Sequence, residues 1–142
     1  MEIVCKEHKL TADEFLSIEN KMEGMEETTR EQAKKALSNQ ICSVAAFKEN
    51  EIVGIGRLIG DASIYWILTE IWVLPEYQGR GIGSKIVNWL LQYIRDNVVK
   101  GSYAAVFLMC AKDKENFYEK LGFKCRPNEW EGPGMEMEIY IE

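Results

Sequence analysis

The sequence has few of the residues from which metal sites, redox sites and nucleic-acid surfaces are built. It has one histidine, and its four cysteines form no CxxC pair, so neither a zinc knuckle nor a thiol redox motif is predicted. Lys and Arg number 17 against 23 Asp and Glu, and a net charge of −6 disfavours a partner whose phosphates must be neutralised. We therefore expect no metal ion and no nucleic-acid partner. The thiols that we expect to be buried and reduced are Cys5, Cys42, Cys110 and Cys125.

Long apolar runs are also missing. No stretch approaches the roughly 20 apolar residues of a membrane span, and residues 1–10 alternate charged with apolar side chains, unlike a signal peptide. We expect a soluble cytoplasmic protein with no membrane partner. A chain of 142 residues with 46% hydrophobic residues can enclose a core by itself, so a single domain over residues 1–142 is predicted.

Strand-like and helix-like patterns alternate along the chain, which predicts an α/β architecture around one sheet. Capping-box spacing at Thr11 and Thr28 predicts two helices that end near residues 22 and 38. A long helix with one apolar face is predicted from residue 82 to before Gly101, and a short one over residues 114–121. The predicted strands cover residues 2–6, 41–48, 52–59, 64–74, 104–109, 123–126 and 135–141.

A glycine-rich turn joins the predicted strand that stops at Pro75 to the long helix. Its sequence, residues 78–83, is QGRGIG. The first N–H groups of a helix have no intrahelical partners and lie at the positive end of the dipole, so this turn can hold a phosphate or pyrophosphate. The alternative is that the glycines only make a tight turn between the two elements.

Two common phosphate-binding motifs do not fit this spacing. A dinucleotide fingerprint that starts at Gly79 needs Gly or Ala at position 84, which is Ser84, and no acidic residue ends a following strand. A P-loop needs Gly directly before its lysine, whereas Lys85 follows Ser84. A site for a dinucleotide or a nucleoside triphosphate is therefore not predicted.

Residues 78–83 resemble the Q/RxxGxG/A signature of the GNAT superfamily of acyl-CoA N-acyltransferases. The preceding residues 71–75, IWVLP, resemble the strand and proline that come before this signature, and residues 117–123, FYEKLGF, resemble a second family segment. Residues 132–135, GPGM, resemble a loop of one bacterial-type branch. The resemblance covers residues 64–126, and in the N-terminal half only the order of elements matches. One departure is Ala111, where many family members have an asparagine that contacts the cofactor.

The resemblance implies the GNAT fold, with one mixed, mostly antiparallel sheet of six to seven strands and about four helices. It also implies acetyl-CoA as cosubstrate, with its pantetheine arm in a gap between two splayed strands and the Val73 N–H facing the thioester oxygen. The residues that the resemblance assigns to cofactor binding are Ile71, Trp72, Val73, Gln78, Gly79, Arg80, Gly81, Ile82, Gly83 and Ser84.

For catalysis, the resemblance implies direct attack of an amine on the thioester. Tyr118 is the candidate proton donor to the leaving thiolate, and Glu70, three residues before Val73, is the candidate base that deprotonates the amine. A core aromatic and an exposed strand glutamate are the alternatives for these residues. A covalent route through Cys110 is less attractive, because the only histidine, His8, is distant in sequence.

The expected partner is a small-molecule amine, and a small cationic amine is favoured because aromatic rings and carboxylates recur where the family builds its acceptor pocket. A protein lysine or N-terminal amine is the main alternative acceptor. The competing class is a noncatalytic acyl-CoA-binding regulatory module. Homodimerisation is compatible with the residues, and none of them establishes it. The acceptor candidates are Met22, Met25, Tyr65, Trp66, Trp72 and Trp130, with Glu23, Glu26, Glu27, Glu129 and Glu131.

Overall fold

The computed structural model describes residues 2–22 and 27–142, which form two compact units, Met1–Leu108 and Met109–Glu142. We refer to them as the N-terminal and C-terminal units. The described strands, all in the N-terminal unit, are β1 (Val4–Glu7), β2 (Cys42–Lys48), β3 (Glu51–Gly60), β4 (Tyr65–Val73) and β5 (Ala105–Leu108). The described helices are α1 (Ala12–Glu19), α2 (Arg30–Ser38), α3 (Ile82–Asn97) and, in the C-terminal unit, α4 (Glu115–Lys120).

The sheet has the strand order β1-β2-β3-β4-β5. The first four strands are antiparallel neighbours, and β5 runs parallel to β4 because α3 carries the chain back between them. The prediction of a mixed, mostly antiparallel sheet with four helices is therefore confirmed, with five strands in the described residues instead of six to seven.

The two C-terminal strands account for the difference. Residues 123–126 and 135–141, predicted as strands, are not in the sheet. Met135 is 90% exposed and Ile139 is 74% exposed, so the alternating apolar side chains of the second segment bury little surface. Alternation reports only a local preference for the extended backbone, and a strand also needs a partner edge for its hydrogen bonds.

The first two helices begin at threonine caps, as predicted, but the second cap lies one residue later than expected. The capping box at Thr11 is confirmed, because Thr11 Oγ1 accepts from the Glu14 N–H and the Glu14 carboxylate accepts from the Thr11 N–H. The second cap is Thr29 instead of Thr28. The Thr28 hydroxyl donates to the buried carboxylate of Glu19, at 2.7 Å, and is therefore engaged elsewhere. The first helix ends at Glu19, three residues before the predicted end.

Helix α3 packs closely on one face of the sheet because β3 presents two glycines to it. Its buried face contains Ile86 and Leu90, as the 3.6-residue pattern predicts. A Cβ atom added at Gly56 would lie 2.6 Å from Ile86 Cγ2 and 3.0 Å from Leu90 Cδ1. At Gly54, the same addition would lie 3.0 Å from Ile86 Cδ1. The missing side chains on β3 thus set the distance between α3 and the sheet.

We expect Gly56→Ala to lower the free energy of unfolding by about 1–3 kcal/mol, because the added methyl group overpacks the contact between α3 and β3. Urea denaturation of the purified protein measures this as a lower midpoint at an unchanged slope. Gly132→Ala is the matched control, since a Cβ there has no neighbour within 4 Å. An unchanged midpoint for Gly56→Ala would mean that α3 can move away from the sheet without loss.

The prediction that all four thiols are buried is half wrong. Cys42 is buried in β2, and its desolvation raises the pKa of that thiol to about 12. Cys5 is half-buried, whereas Cys110 and Cys125 are exposed, because the C-terminal unit leaves them at its surface. None of the helices in residues 2–22 and 27–142 has the length and apolar character needed to cross a membrane.

Candidate functional site

Strand β4 contains a β-bulge at the position of Glu70. Arg57 of β3 pairs with Thr69, and Ile55 pairs with Trp72, so two residues of β4 lie opposite the single residue between them on β3. Glu70 has φ of 46°, a left-handed conformation that is strained by about 1–2 kcal/mol for a residue with a side chain. A strained bulge of this kind often re-aims side chains at a functional site.

The end of β4 presents backbone groups to an edge that β5 does not cover. The parallel pairing of β4 with β5 stops at Leu68, where β5 reaches Leu108, while β4 continues over residues 69–73. The Leu74 N–H donates to the Val53 carbonyl on β3, at 2.9 Å. Because successive residues of a strand direct their backbone groups to opposite sides, the Val73 N–H points away from β3. This segment can therefore pair with an extended ligand, as an added strand would.

The glycine-rich turn follows directly, after a short 3₁₀ turn at Pro75–Tyr77. The Gln78 side chain donates to the Val73 carbonyl, at 3.0 Å, and so ties the turn to the end of β4. Gly81 is the N-cap of α3 with φ of 79°, and no side chain caps the helix. A Cβ atom at Gly79 or Gly81 would have no neighbour within 4 Å, so the space beside this helix start is open. The first turn of α3 carries no acidic residue, which suits an anion at the positive end of the dipole.

The two carboxylate oxygens of Glu70 differ in their hydrogen bonding within the described residues. Its Oε1 accepts a hydrogen bond from the buried guanidinium of Arg57, at 3.1 Å, while the Glu70 side chain is 21% exposed. Its Oε2 is buried, and within the described residues it has no hydrogen-bond partner. A buried carboxylate oxygen without a donor is unfavourable, so a ligand with an N–H group would be stabilised there.

Two aromatic rings, those of Phe15 and Trp72, lie on the face of the sheet that carries Arg57 and Glu70. The rings of Phe15 in α1 and Trp72 in β4 have centroids 5.4 Å apart, and the Arg57 guanidinium lies 5.9 Å from the Phe15 centroid. Met22 packs against the same cluster of buried residues. This face of the N-terminal unit therefore combines apolar rings with a carboxylate, which is the chemistry predicted for an amine site.

Tyr118 belongs to the C-terminal unit, on α4. Its ring makes edge contacts with Phe117 and Phe123, with centroids 4.9 Å and 5.9 Å away. Burial raises the pKa of the phenol above its ordinary value, and the nearby Cys110 raises it further. The phenol is therefore protonated at neutral pH.

The chain is similar to one known protein family over most of its described sheet and helices. Residues 38–125, more than half of the chain, match the family model described as an acetyltransferase (GNAT) domain. The chain belongs to the GNAT acetyltransferase family. The predicted resemblance is thereby confirmed, and the match includes β4, the glycine-rich turn and α4, while the GPGM loop at residues 132–135 lies outside the matched range.

Relatives of this GNAT chain carry the same kind of description. An uncharacterized ycf52-like N-acetyltransferase of Prochlorococcus marinus is 26% identical over 98 residues, which are 66% of this chain and 52% of that protein. This chain thus spans about half the length of the curated relatives it matches. A solved protein of unknown function from meticillin-resistant Staphylococcus aureus, described as a probable acetyltransferase, is 28% identical with a TM-score of 0.82. The match covers 97% of this chain and 100% of the Staphylococcus aureus chain. A GNAT-family acetyltransferase of Streptococcus pneumoniae, 24% identical with a TM-score of 0.79 over 99% of this chain and 98% of that one, shares the fold.

In this GNAT chain, the side chains of several residues that the resemblance assigns to cofactor binding make contacts within the fold. The Ile82 side chain is buried in the core, that of Ile71 lies near Gly56, and that of Trp72 packs on Phe15. The Arg80 guanidinium lies 5.4 Å from the centroid of the Tyr77 ring. Gly83 and Ser84 lie in the first turn of α3 and are partly exposed.

The predicted acceptor residues are only partly brought together. The prediction that Trp66 contacts the acceptor is wrong, because Trp66 is 1% exposed and its indole N–H donates to the Ser63 carbonyl. Tyr65 stacks on Phe107 near the start of β4, away from the bulge. Trp130 is 85% exposed in the C-terminal unit. Three of the predicted acceptor residues, Met25, Glu23 and Glu26, lie outside the described residues.

Sequence reasoning missed Arg57 and Gln40. The Arg57 side chain contacts Glu70, Gln40, the Ala36 carbonyl and the Phe15 ring. A signal for it exists in the sequence, because residues 52–59 are apolar or glycine except for this one arginine. A charge in the middle of a buried strand needs a partner, and the partner is the predicted base.

Proposed function

We propose that this chain is an acetyl-CoA-dependent N-acetyltransferase that transfers the acetyl group directly to a primary amine. The observation that carries the proposal is that the bulged end of β4, whose far edge β5 does not cover, leads directly to the start of α3, which no side chain caps. The first suits the amides of a pantetheine arm, and the second suits a pyrophosphate. Acetyl-CoA contains both groups in one extended molecule, so one ligand would use the strand end and the helix start together.

Glu70 would act on the attacking amine, and the Val73 N–H would act on the thioester oxygen. A primary amine with a pKa of about 10 is protonated at neutral pH, and the free Glu70 oxygen, Oε2, would accept its proton. The Val73 N–H would stabilise negative charge on the thioester oxygen during the attack. The nitrogen then forms its bond to the acetyl carbon while the carbon–sulfur bond breaks. Its second surplus proton passes to solvent, and the leaving sulfur takes a proton from a separate donor.

Tyr118 is the donor that we propose for that proton. We expect Tyr118→Phe to lower kcat roughly 100-fold, since a proton donor contributes about this factor and phenylalanine keeps the ring contacts of α4. Because burial raises the pKa of the phenol, the activity that depends on it should fall only at alkaline pH, as the pH passes through the raised pKa. Tyr103→Phe, at a tyrosine that is 71% exposed, is the control. Equal kcat values for Tyr118→Phe and the wild type would refute the donor role.

A small cationic amine is the favoured acceptor. An ammonium group could lie beside the half-buried Trp72 ring and donate to Glu70 Oε2, and the chain as a whole is acidic, with a net charge of −6. A protein lysine or N-terminal amine is the second candidate acceptor. A noncatalytic acyl-CoA-binding module would use the strand end and helix start without the chemistry.

The experiment that tests the function measures thiol release from acetyl-CoA with a panel of polyamines, arylalkylamines, amino sugars, aminoglycosides and lysine peptides. Release that depends on one class of amine, and that is lost in Tyr118→Phe, would support an N-acetyltransferase and name its substrate class. Binding of CoA by calorimetry without release for any amine would contradict the enzyme and favour the binding module.

A further inference from the structure

Arg57 is a buried and multiply hydrogen-bonded charged side chain on the face of the sheet that carries Glu70. It is 6% exposed, and its Nε donates to Gln40 Oε1 at 2.9 Å. Of its two terminal nitrogens, Nη2 donates to the Ala36 carbonyl at 3.2 Å, and Nη1 donates to Glu70 Oε1 at 3.1 Å. The planar guanidinium therefore has a separate acceptor on each of its three nitrogens, which fixes its orientation.

The anchors of Arg57 are themselves fixed. The Gln40 amide nitrogen donates to Ser43 Oγ at 2.8 Å, and Ser43 Oγ donates to the His8 carbonyl at 2.5 Å. Ala36 lies within α2, so its carbonyl position is set by the helix. A hydrogen-bonded chain thus runs from the end of β1, through the start of β2, to Glu70 on β4. The chain ends on Oε1 of Glu70, whose Oε2 is buried and has no donor within the described residues.

We propose that Arg57 is a positioning residue for acetyl transfer, which fixes Glu70 through Oε1 and leaves Oε2 for the proton of the amine. This inference rests on the proposed function. The left-handed backbone of Glu70 directs its side chain to the face that Arg57 occupies, and the guanidinium then selects one orientation of the carboxylate. The base is thereby held before the amine arrives, which is the condition for efficient proton transfer.

The test is a double-mutant cycle on Arg57 and Glu70. kcat and KM are measured with saturating acetyl-CoA and either spermidine or phenethylamine, whichever the wild type acetylates faster. We expect Arg57→Met to lower kcat by about the same factor as Glu70→Gln, roughly 100-fold, with KM for the amine changed less than about threefold. The double variant should be no slower than Glu70→Gln alone, because Arg57 acts only through the carboxylate.

Arg57→Lys and Arg30→Met complete the set. Lysine keeps the charge but cannot donate to three fixed acceptors at once, so Arg57→Lys should recover part of the kcat that Arg57→Met loses. It also keeps a charge beside Glu70, so it remains informative where Arg57→Met fails to fold. Arg30 pairs with Asp13 at the surface, and Arg30→Met should leave kcat unchanged.

The results that overturn the inference are distinct from those that overturn the function. Where the wild type is active, a kcat of the double variant tenfold or more below that of Glu70→Gln would show that Arg57 acts independently of Glu70. That result would contradict the proposal. Full kcat in Arg57→Lys would also overturn the proposal, because a positive charge beside Glu70 would then suffice without the three fixed acceptors. Where the wild type acetylates neither amine, crystal structures of the wild type and Arg57→Lys decide the matter. A Glu70 carboxylate that changes orientation in the variant supports positioning by Arg57, and one that stays in place overturns it.

Discussion

Glu70→Gln is expected to lower kcat for amine acetylation roughly 100-fold or more at neutral pH, with little change in the KM for acetyl-CoA. The amide can still accept the hydrogen bond from Arg57, but it cannot remove a proton from the bound ammonium group. The deficit should shrink as the pH approaches the pKa of the amine, about 10, because the solvent then supplies the neutral nucleophile. Initial rates of thiol release between pH 7 and pH 10 measure both effects.

Glu14→Gln is the matched control for this variant. Glu14 is a partly exposed carboxylate of the same unit, and it pairs with His8 at 3.0 Å, away from the bulge. Its replacement should leave kcat unchanged even where it lowers the midpoint of thermal unfolding. A Glu70→Gln enzyme that keeps the wild-type rate at pH 7 would place the base on another residue or on a water chain.

Gly81→Ala is expected to raise the KM for acetyl-CoA by tenfold or more. Gly81 adopts φ of 79° at the start of α3, and alanine in that conformation is strained by about 1–2 kcal/mol. Relief of the strain would turn the first N–H groups of α3, and the added methyl group would occupy the open space beside them. Both changes oppose a pyrophosphate at the helix start. Steady-state kinetics and calorimetric titration with CoA measure the loss.

Gly101→Ala separates this effect from a general loss of stability. Gly101 has φ of 83°, and a Cβ there also has no neighbour within 4 Å, but it lies in the connection between α3 and β5. The two substitutions should lower the free energy of unfolding by similar amounts, whereas only Gly81→Ala should weaken CoA binding. Equal CoA affinities for the two variants would indicate that the glycine-rich turn is a structural connection and not a phosphate site.

The candidate site shows how far local patterns reach. The position of the glycine-rich turn at the start of α3 follows from the sequence, because a strand, a proline and an apolar helical stripe bracket it. The placement of Glu70 on β4 follows in the same way. The bulge cannot be predicted in this way. It arises from the pairing of β3 with β4, and the sequence of either strand alone does not specify their register. The partner of Glu70 was missed for this reason, because Arg57 lies 13 residues away on the neighbouring strand.

The C-terminal residues show the opposite error. Alternating side chains over residues 135–141 predict a strand, and the tertiary structure leaves them exposed. The exposure of Cys110 and Cys125 is a second case, because residue type predicts burial only on average. Each error concerns whether a segment finds a partner surface, which composition and periodicity do not encode.

The sequence by itself determined the α/β class, the order of the helices and strands from β1 to α4, and the family, because these depend on periodicity, capping and short motifs within a few residues of one another. Only the tertiary structure decided which strands pair, where β4 leaves its neighbour, and which side chain holds Glu70. Those features depend on contacts between residues distant in the chain, and such contacts are fixed by packing and hydrogen bonding in the folded state.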